Sequence, residues 1–297
     1  MGAAKELFIE SEDAVTMDVI VNNTYTERDV FISELIKRVK SGEEKLSYSS
    51  ISQFKKSPRS FIDYKMGKKE QTDAMKLGSL VHCLILTPQL FESKYFVFDD
   101  TEKVTEIGGG NPRATNAYKK WKTEQLALVG DKDPISKTEF DQASLMANSV
   151  LNNSASKPIL EKCPNRETPM SFEMNGLNII CFLDAHGNEC ILDIKICADA
   201  DPRKFQKTIL YDGYYLQGGV YELAVGELKP YYIVAVDRTG AVSVHLLMDS
   251  LLEHGMTEFE RLTREFVACV DNNDFHQSYE YRTHNGYYQL DKPPYAF

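Results

Sequence analysis

The chain of 297 residues has no C-x-x-C pair among its six cysteines, Cys83, Cys163, Cys181, Cys190, Cys197 and Cys269. A zinc ribbon or a cysteine-held iron–sulfur cluster is therefore not expected, and buried free thiols are. No apolar run approaches the roughly 18 residues of a membrane span. The start, Met1-Gly2-Ala3-Ala4-Lys5-Glu6, lacks the apolar stretch of a secretory signal. The expected location is the cytoplasm, with no membrane partner. Positive charge is also short, since 34 lysines and arginines face 44 aspartates and glutamates. The net charge of −10 excludes a basic DNA coat or chromatin protein and argues against tight, indiscriminate binding along a duplex. It does not exclude a carboxylate metal site with one basic groove. Gly108-Gly109-Gly110 is followed by no Lys-Ser/Thr, so a P-loop is absent.

What is present is an ordinary globular composition in two stretches. Residues 1–44 read as an N-terminal extension of unknown role, with strand-like Val15–Val21 and an amphipathic stretch from Val30 to Val39. Residues 45–297 read as one domain. Its first part is helical: a capped short helix from Ser49-Ser50 stopped at Pro58, a second around Phe61, and a strongly apolar helix over 74–86. Tyr95–Phe98 reads as a strand, 99–113 as a glycine-bearing acidic loop, and 114–128 and 137–151 as polar helices. Three strands follow, Thr168–Met174, Asn178–Asp184 and Cys190–Ile196, with turns at Asn175-Gly176 and Gly187-Asn188. Helices over 202–210 and 213–226, strands Tyr231–Asp237 and Val242–Leu247, and a long helix over 249–271 complete an α/β pattern.

Chemistry concentrates at Asp184 and at Ile191-Leu192-Asp193-Ile194-Lys195. Asp193 and Lys195 are two apart on a strand and share a face. Asp184 ends the preceding strand, so pairing would bring its carboxylate near Asp193. Two carboxylates and a lysine suit hydrolysis with a hard cation: oxygens hold Mg²⁺, and the ammonium meets charge developing on phosphate. A D-x-K pair on its own is most often a solvated ion pair. Here Ile191, Leu192, Ile194 and Ile196 surround it, so the strand is expected to be buried on both faces, where charges need partners or a metal. Removing Lys195 is expected to leave the fold intact, because it removes a costly buried charge. Gln217 and Tyr221 are one helical turn apart and share a face. Between them Gly218-Gly219 is costly in a helix unless something packs very closely there. His82 lies on a mostly apolar helix, where an isolated histidine is usually a satisfied core residue.

Taken in order, Gly78-x-x-x-His82, Asp184, Asp193-x-Lys195 and Gln217-x-x-x-Tyr221 resemble the motif series of RecB-like nucleases of the PD-(D/E)XK superfamily. The likeness is greatest to the phage and prophage exonuclease VIII (RecE-type) group. Ser49-Ser50-Ile51-x-x-Phe54-x-x-Ser57-Pro58-x-x-Phe61 resembles that group's N-terminal helix signature, and the whole resemblance covers about residues 46–270.

The resemblance implies a PD-(D/E)XK core, a mixed central sheet flanked by helices with a helical N-terminal part. It implies Mg²⁺, or Mn²⁺, held by Asp184, Asp193 and the Ile194 carbonyl, with His82 and an added acid, Glu167 or alternatively Glu173. Lys195 would be the water-positioning base. Gln217 and Tyr221 would support the site, with Ser50, Ser57 and Tyr221 touching DNA. The implied reaction is exonucleolytic hydrolysis of linear double-stranded DNA, 5′ to 3′. It would leave 3′ single-stranded tails for a single-strand annealing recombinase, and the enzyme would form a homo-oligomer. An endonuclease or single-strand nuclease on the same core, or a catalytically dead DNA-binding scaffold, are the rival expectations. Ile196 stands where the group usually has Thr, and Phe182 where a basic residue is common, which leaves phosphate contacts open.

Overall fold

The computed structural model of the chain describes residues 26–67, 72–283 and 285–288; the strand expected at Val15–Val21 lies outside them. In chain order the elements are α1 (Glu27–Lys40), β1 (Lys45–Leu46), α2 (Tyr48–Lys56), α3 (Pro58–Met66), α4 (Asp73–Leu86), α5 (Phe91–Lys94) and β2 (Tyr95–Phe98). Then come α6 (Thr101–Ile107), α7 (Asn116–Ala127), β3 (Asp133–Ser136), α8 (Lys137–Asn152), α9 (Ser156–Lys162), β4 (Asn165–Met174) and β5 (Leu177–His186). The last are β6 (Ile191–Cys197), α10 (Pro202–Tyr211), α11 (Tyr214–Val225), β7 (Tyr231–Asp237), β8 (Val242–Leu247) and α12 (Asp249–Asn272). No single helix among the described residues is long and apolar enough to cross a membrane.

The fold is α/β, with helices on both faces of a mixed sheet ordered β1-β5-β6-β7-β8, β4 also pairing with β5. β6 and β7 run parallel over seven residue pairs, as befits strands buried on both faces. One face packs Ile191, Ile233 and Ala235 under α2, α3, α11 and α12; the other packs Leu192, Ile194, Val234 and Val236 under α4 and α8. α1 lies within the segment read as an extension, yet its Ile32 and Leu35 are buried in the core shared by β5 and α12. A capping box of Thr26 and Asp29 starts it. Residues 99–113 are not all loop. α6 forms there, because Asp99 accepts the Thr101 N–H while Asp100 is held by Arg113 and Tyr118. Two turns with little apolar surface carry no periodic signal. The parallel β2–β3 pair is equally short, and β3 was not foreseen.

The feature that positions the site is a fork. β5 pairs with β6 only at Ala185↔Leu192 and His186↔Ile191, then the two strands part. On its other edge β5 keeps a long antiparallel ladder with β4. The costly glycines of α11 are explained on the far side of the sheet. A Cβ on Gly219 would stand 2.5 Å from the Met256 nitrogen and 2.6 Å from the Gly255 carbonyl carbon, both backbone of α12. A Cβ on Gly218 would stand 2.8 Å from Leu252 Cδ2. This crossing seats α11, and with it Gln217 and Tyr221, against the sheet. Gly219→Ala is expected to cost about 3 kcal/mol, the upper range for overpacking, because neither backbone can yield. Urea denaturation reads this directly, and an unchanged midpoint would refute it.

The next residue of α11 after Tyr221 is a buried carboxylate. Glu222 accepts the Lys229 N–H at 3.0 Å through Oε2, while Oε1 has no partner. Burial pushes its carboxyl up to about 7, against the pull of the Lys229 amide and ammonium. The folded state therefore holds this proton more tightly than the unfolded chain, so stability falls as pH rises towards 7. Glu222→Gln should abolish that decline, worth about 2–3 kcal/mol at roughly 1.4 kcal/mol per pH unit. Parallel urea curves for both proteins at pH 5 and pH 8 are the check; identical pH dependence would refute it.

Candidate metal-dependent nuclease site

Asp184 sits on β5 at the fork, where the β6 backbone has lost its ladder partner. Its Oδ2 accepts the Ile194 N–H at 2.8 Å, taking the place of the missing strand. From the other side His82, on α4, brings Nε2 to 3.0 Å from the Ile194 carbonyl oxygen. A carbonyl only accepts, so Nε2 carries the proton in this bond. The other ring nitrogen, Nδ1, lies 3.8 Å from Asp184 Oδ2. His82 is thus half-buried and turned into the site, not sealed in the core.

Glu167 completes the group. Its φ is +46°, a left-handed value inside a strand. Such a backbone is uncommon for a residue with a side chain and costs energy, and it clusters at functional sites. Glu167 stands between the pairs Arg166↔Ala185 and Thr168↔Leu183, opposite Asp184. Burial and the Asp184 charge raise its carboxyl above the ordinary value, against the pull of His82 and Lys94. One ligand atom each from His82, Glu167 and Asp184 lie within 4.8 Å of one another. Glu173, the alternative acid, pairs opposite Asn178 near the hairpin turn. Six residues of strand put it about 20 Å away.

The second group is built on β6 itself and adjoins the first. Asp193 and Lys195 share a face of this strand, as their spacing predicts, and Asp193 is 1% exposed. Lys195 Nζ lies 2.7 Å from Asp193 Oδ2 and donates to Gln217 Oε1 at 2.9 Å. Gln217 Nε2 reaches Asp193 Oδ1 at 3.3 Å and the Tyr221 hydroxyl oxygen at 2.7 Å. Burial raises the Asp193 carboxyl, and Asp184 adds to this while Lys195 opposes it. Burial works against the Lys195 ammonium, but Asp193 and Asp184 outweigh it and the net shift is upward. In this arrangement Lys195 serves as the donor to Gln217 and the charge beside Asp193. Its Nζ also stands 4.8 Å over the Tyr214 ring. Tyr214 was missed in the sequence, where only its place beside Gln217 could have marked it.

The structure thus brings His82, Glu167, Asp184 and the Ile194 carbonyl to one cluster, and Asp193, Lys195, Gln217 and Tyr221 to an adjoining network. Asp193 is outside the compact trio, turned to Lys195 and Gln217. The Ile194 carbonyl is taken by His82. Asp193 Oδ2 is buried and has Lys195 as its one charged neighbour. The Asp193 carboxylate and the Glu167–Asp184 pair offer hard oxygen donors of the kind a divalent cation takes, with the His82 ring nitrogen as a softer one. Ser50 and Ser57 have other partners. Ser50 Oγ donates to the Ser47 carbonyl and accepts its N–H, and Ser57 Oγ accepts the Ser60 N–H. Both are buried helix-start residues. Tyr221 is buried too, with burial first and then the Asp193 and Asp184 charges raising its hydroxyl.

A mixed sheet forked at two carboxylates, with an Asp-x-Lys strand beside them, is the PD-(D/E)XK arrangement. Residues 47–280 match the family described as "PDDEXK-like domain of unknown function (DUF3799)", and the chain belongs to that family. A solved structure described as "Putative exonuclease" from Eubacterium rectale is similar to it, with a TM-score of 0.53 and 17% identity, covering 81% of this chain and 86% of that one. A second, SSO0001, reaches a TM-score of 0.30 at 11% identity, covering 80% of this chain and 86% of that one; it carries no argument. No curated protein matches the chain.

Proposed function

We propose that the chain is a Mg²⁺-dependent exodeoxyribonuclease of RecE type that degrades linear double-stranded DNA from its ends, 5′ to 3′. The observation that carries the reading is the His82, Glu167 and Asp184 cluster set beside the buried Asp193–Lys195 pair. Bound there through these carboxylates and His82, Mg²⁺ or Mn²⁺ would supply a water of lowered pKa and neutralise charge on the phosphate. Around it, Gln217 holds the Lys195 ammonium and the Asp193 carboxylate in fixed relation, so the positive charge is set before substrate arrives. The exonuclease description of the Eubacterium rectale structure agrees with this reading.

Gly78 supports it from a different direction. It is one turn before His82 on the same face of α4, and no atom of the described residues outside its own stretch of helix lies within 4 Å of where its Cβ would stand. Nothing among the described residues calls for glycine there, at a cost of up to about 1 kcal/mol relative to alanine. A substrate backbone passing His82 would. Gly78→Ala is expected to raise the thermal midpoint while slowing DNA cleavage; a more stable variant with unimpaired cleavage would remove this support.

The test is digestion of end-labelled linear duplex in Mg²⁺ beside a covalently closed circle. Stepwise release of the 5′ label from the linear DNA, with the circle intact, is expected. Cutting of the circle would make the enzyme an endonuclease. No cleavage of either, with DNA still bound, would make it a scaffold. The 3′ tails would feed a single-strand annealing recombinase, and the oligomeric state during digestion is read by sedimentation.

A further inference from the structure

Phe182 is the only exposed phenylalanine among the described residues, at 58% exposure. It lies on β5 two residues before Asp184, so it projects from the same face, about 7 Å along the strand. Its cross-strand partner is Pro169, two residues after Glu167 and also exposed. Side chains directly opposite across an antiparallel pair stand about 5 Å apart. Ile180, half-buried, extends the same face. An open apolar step thus begins two residue pairs beyond Glu167 and Asp184, at the next pair on that face.

The charges around that step decide what it fits. Glu167, Asp184 and Glu173 flank it on one face of the hairpin, and the whole chain carries a net charge of −10. Lys195 is committed to Asp193 and Gln217, which leaves Lys94 as the lysine that acts on Glu167. Charge neutralisation of phosphate is therefore a poor source of affinity here, since few cations offset these acids. A flat apolar group beside the cluster supplies affinity of another kind, because every base has a π-face and stacking on an aromatic side chain needs no charge. A second copy of this acidic chain would bring further negative charge to the same place.

We propose that Phe182, backed by Pro169, is the stacking platform for a nucleobase of the strand being cut, and that it positions the neighbouring phosphate at the cluster. This rests on the nuclease reading above. Phe182 takes no part in bond breaking, so it is a positioning residue whose loss should raise KM far more than it lowers kcat.

The test uses the full chain and linear duplexes carrying one abasic site, stepped through the terminal nucleotides of the strand that the wild type degrades. Binding is measured in Ca²⁺ and cleavage in Mg²⁺. The wild type should lose about 5- to 150-fold in affinity when the abasic site reaches one position, the scale of losing one base–aromatic stack. Phe182→Ala should show that loss on intact DNA and no further loss at that position, while Phe182→Trp should restore the wild-type pattern. Equal affinity and KM for Phe182→Ala and wild type, in a wild type that does cut DNA, would overturn the platform and leave the nuclease reading standing. A change in oligomeric mass on Phe182→Ala would assign the patch to self-association and also overturn it. A wild type that neither binds nor cuts DNA would overturn both.

Discussion

Lys195→Ala is expected to cut DNA at least about 10²-fold more slowly, the scale of losing one charge contact made in the transition state. The sequence-based expectation is that this variant still folds, and the geometry of the pair adds an expected loss of stability. Lys195 is the ion-pair partner of Asp193, which is almost wholly buried. Removing one member of a buried pair leaves the other uncompensated, a loss of about 3–5 kcal/mol. The variant should therefore be less stable as well as slow. Lys195→Met combined with Asp193→Asn should recover much of the stability, since no lone charge remains, and none of the activity. Lys195→Arg should not rescue cleavage, because a planar fork cannot fill the place of a compact ammonium between Asp193, Gln217 and the Tyr214 ring. Single-turnover cleavage and urea curves on the four proteins make the check. Wild-type rates for Lys195→Ala would remove this strand from the chemistry.

The second large effect concerns the carboxylates at the fork. Asp184→Asn keeps an oxygen that can accept the Ile194 N–H, so the fork should hold. It removes a charged ligand, and cleavage should fall by more than the roughly 10- to 100-fold that outer partners of a metal cost. Glu167→Asn should behave differently without metal. Asparagine tolerates a φ of +46° better than glutamate, and its neutrality ends the repulsion with Asp184. The metal-free protein should therefore melt higher than wild type. It should at the same time lose the Mg²⁺-induced gain, which for the wild type is about 2.7 kcal/mol at a hundredfold excess over Kd. Thermal unfolding with and without Mg²⁺ measures both shifts. A Glu167→Asn protein with an undiminished Mg²⁺ shift would place the cation elsewhere.

Much of this could be read from local patterns. Alternation along β6 put Asp193 and Lys195 on a shared face, because side chains alternate with period two whatever the rest of the fold does, whereas β5 runs two residues past Asp184, where the sequence reading ended it. The glycine pair in α11 announced a close helix contact, which the backbone of α12 at Gly255 supplies. The helix over 74–86 carried enough apolar periodicity to be placed nearly to the residue. α6 and β3 were too short to carry a period, and their partners are distant in sequence.

What the sequence determined by itself is therefore the inventory: which carboxylates, which lysine and which histidine lie on elements able to bear them. How they divide was decided by the tertiary structure. β5 and β6 stay paired for two residue pairs and then part, so Asp184 turns to the Ile194 amide and to His82 while Asp193 turns to Lys195 and Gln217. The register of β4 on β5 chose Glu167 over Glu173 as the neighbour of Asp184. These outcomes depend on separate strands and helices meeting at one place, and the free energy of such meetings is carried by no local pattern.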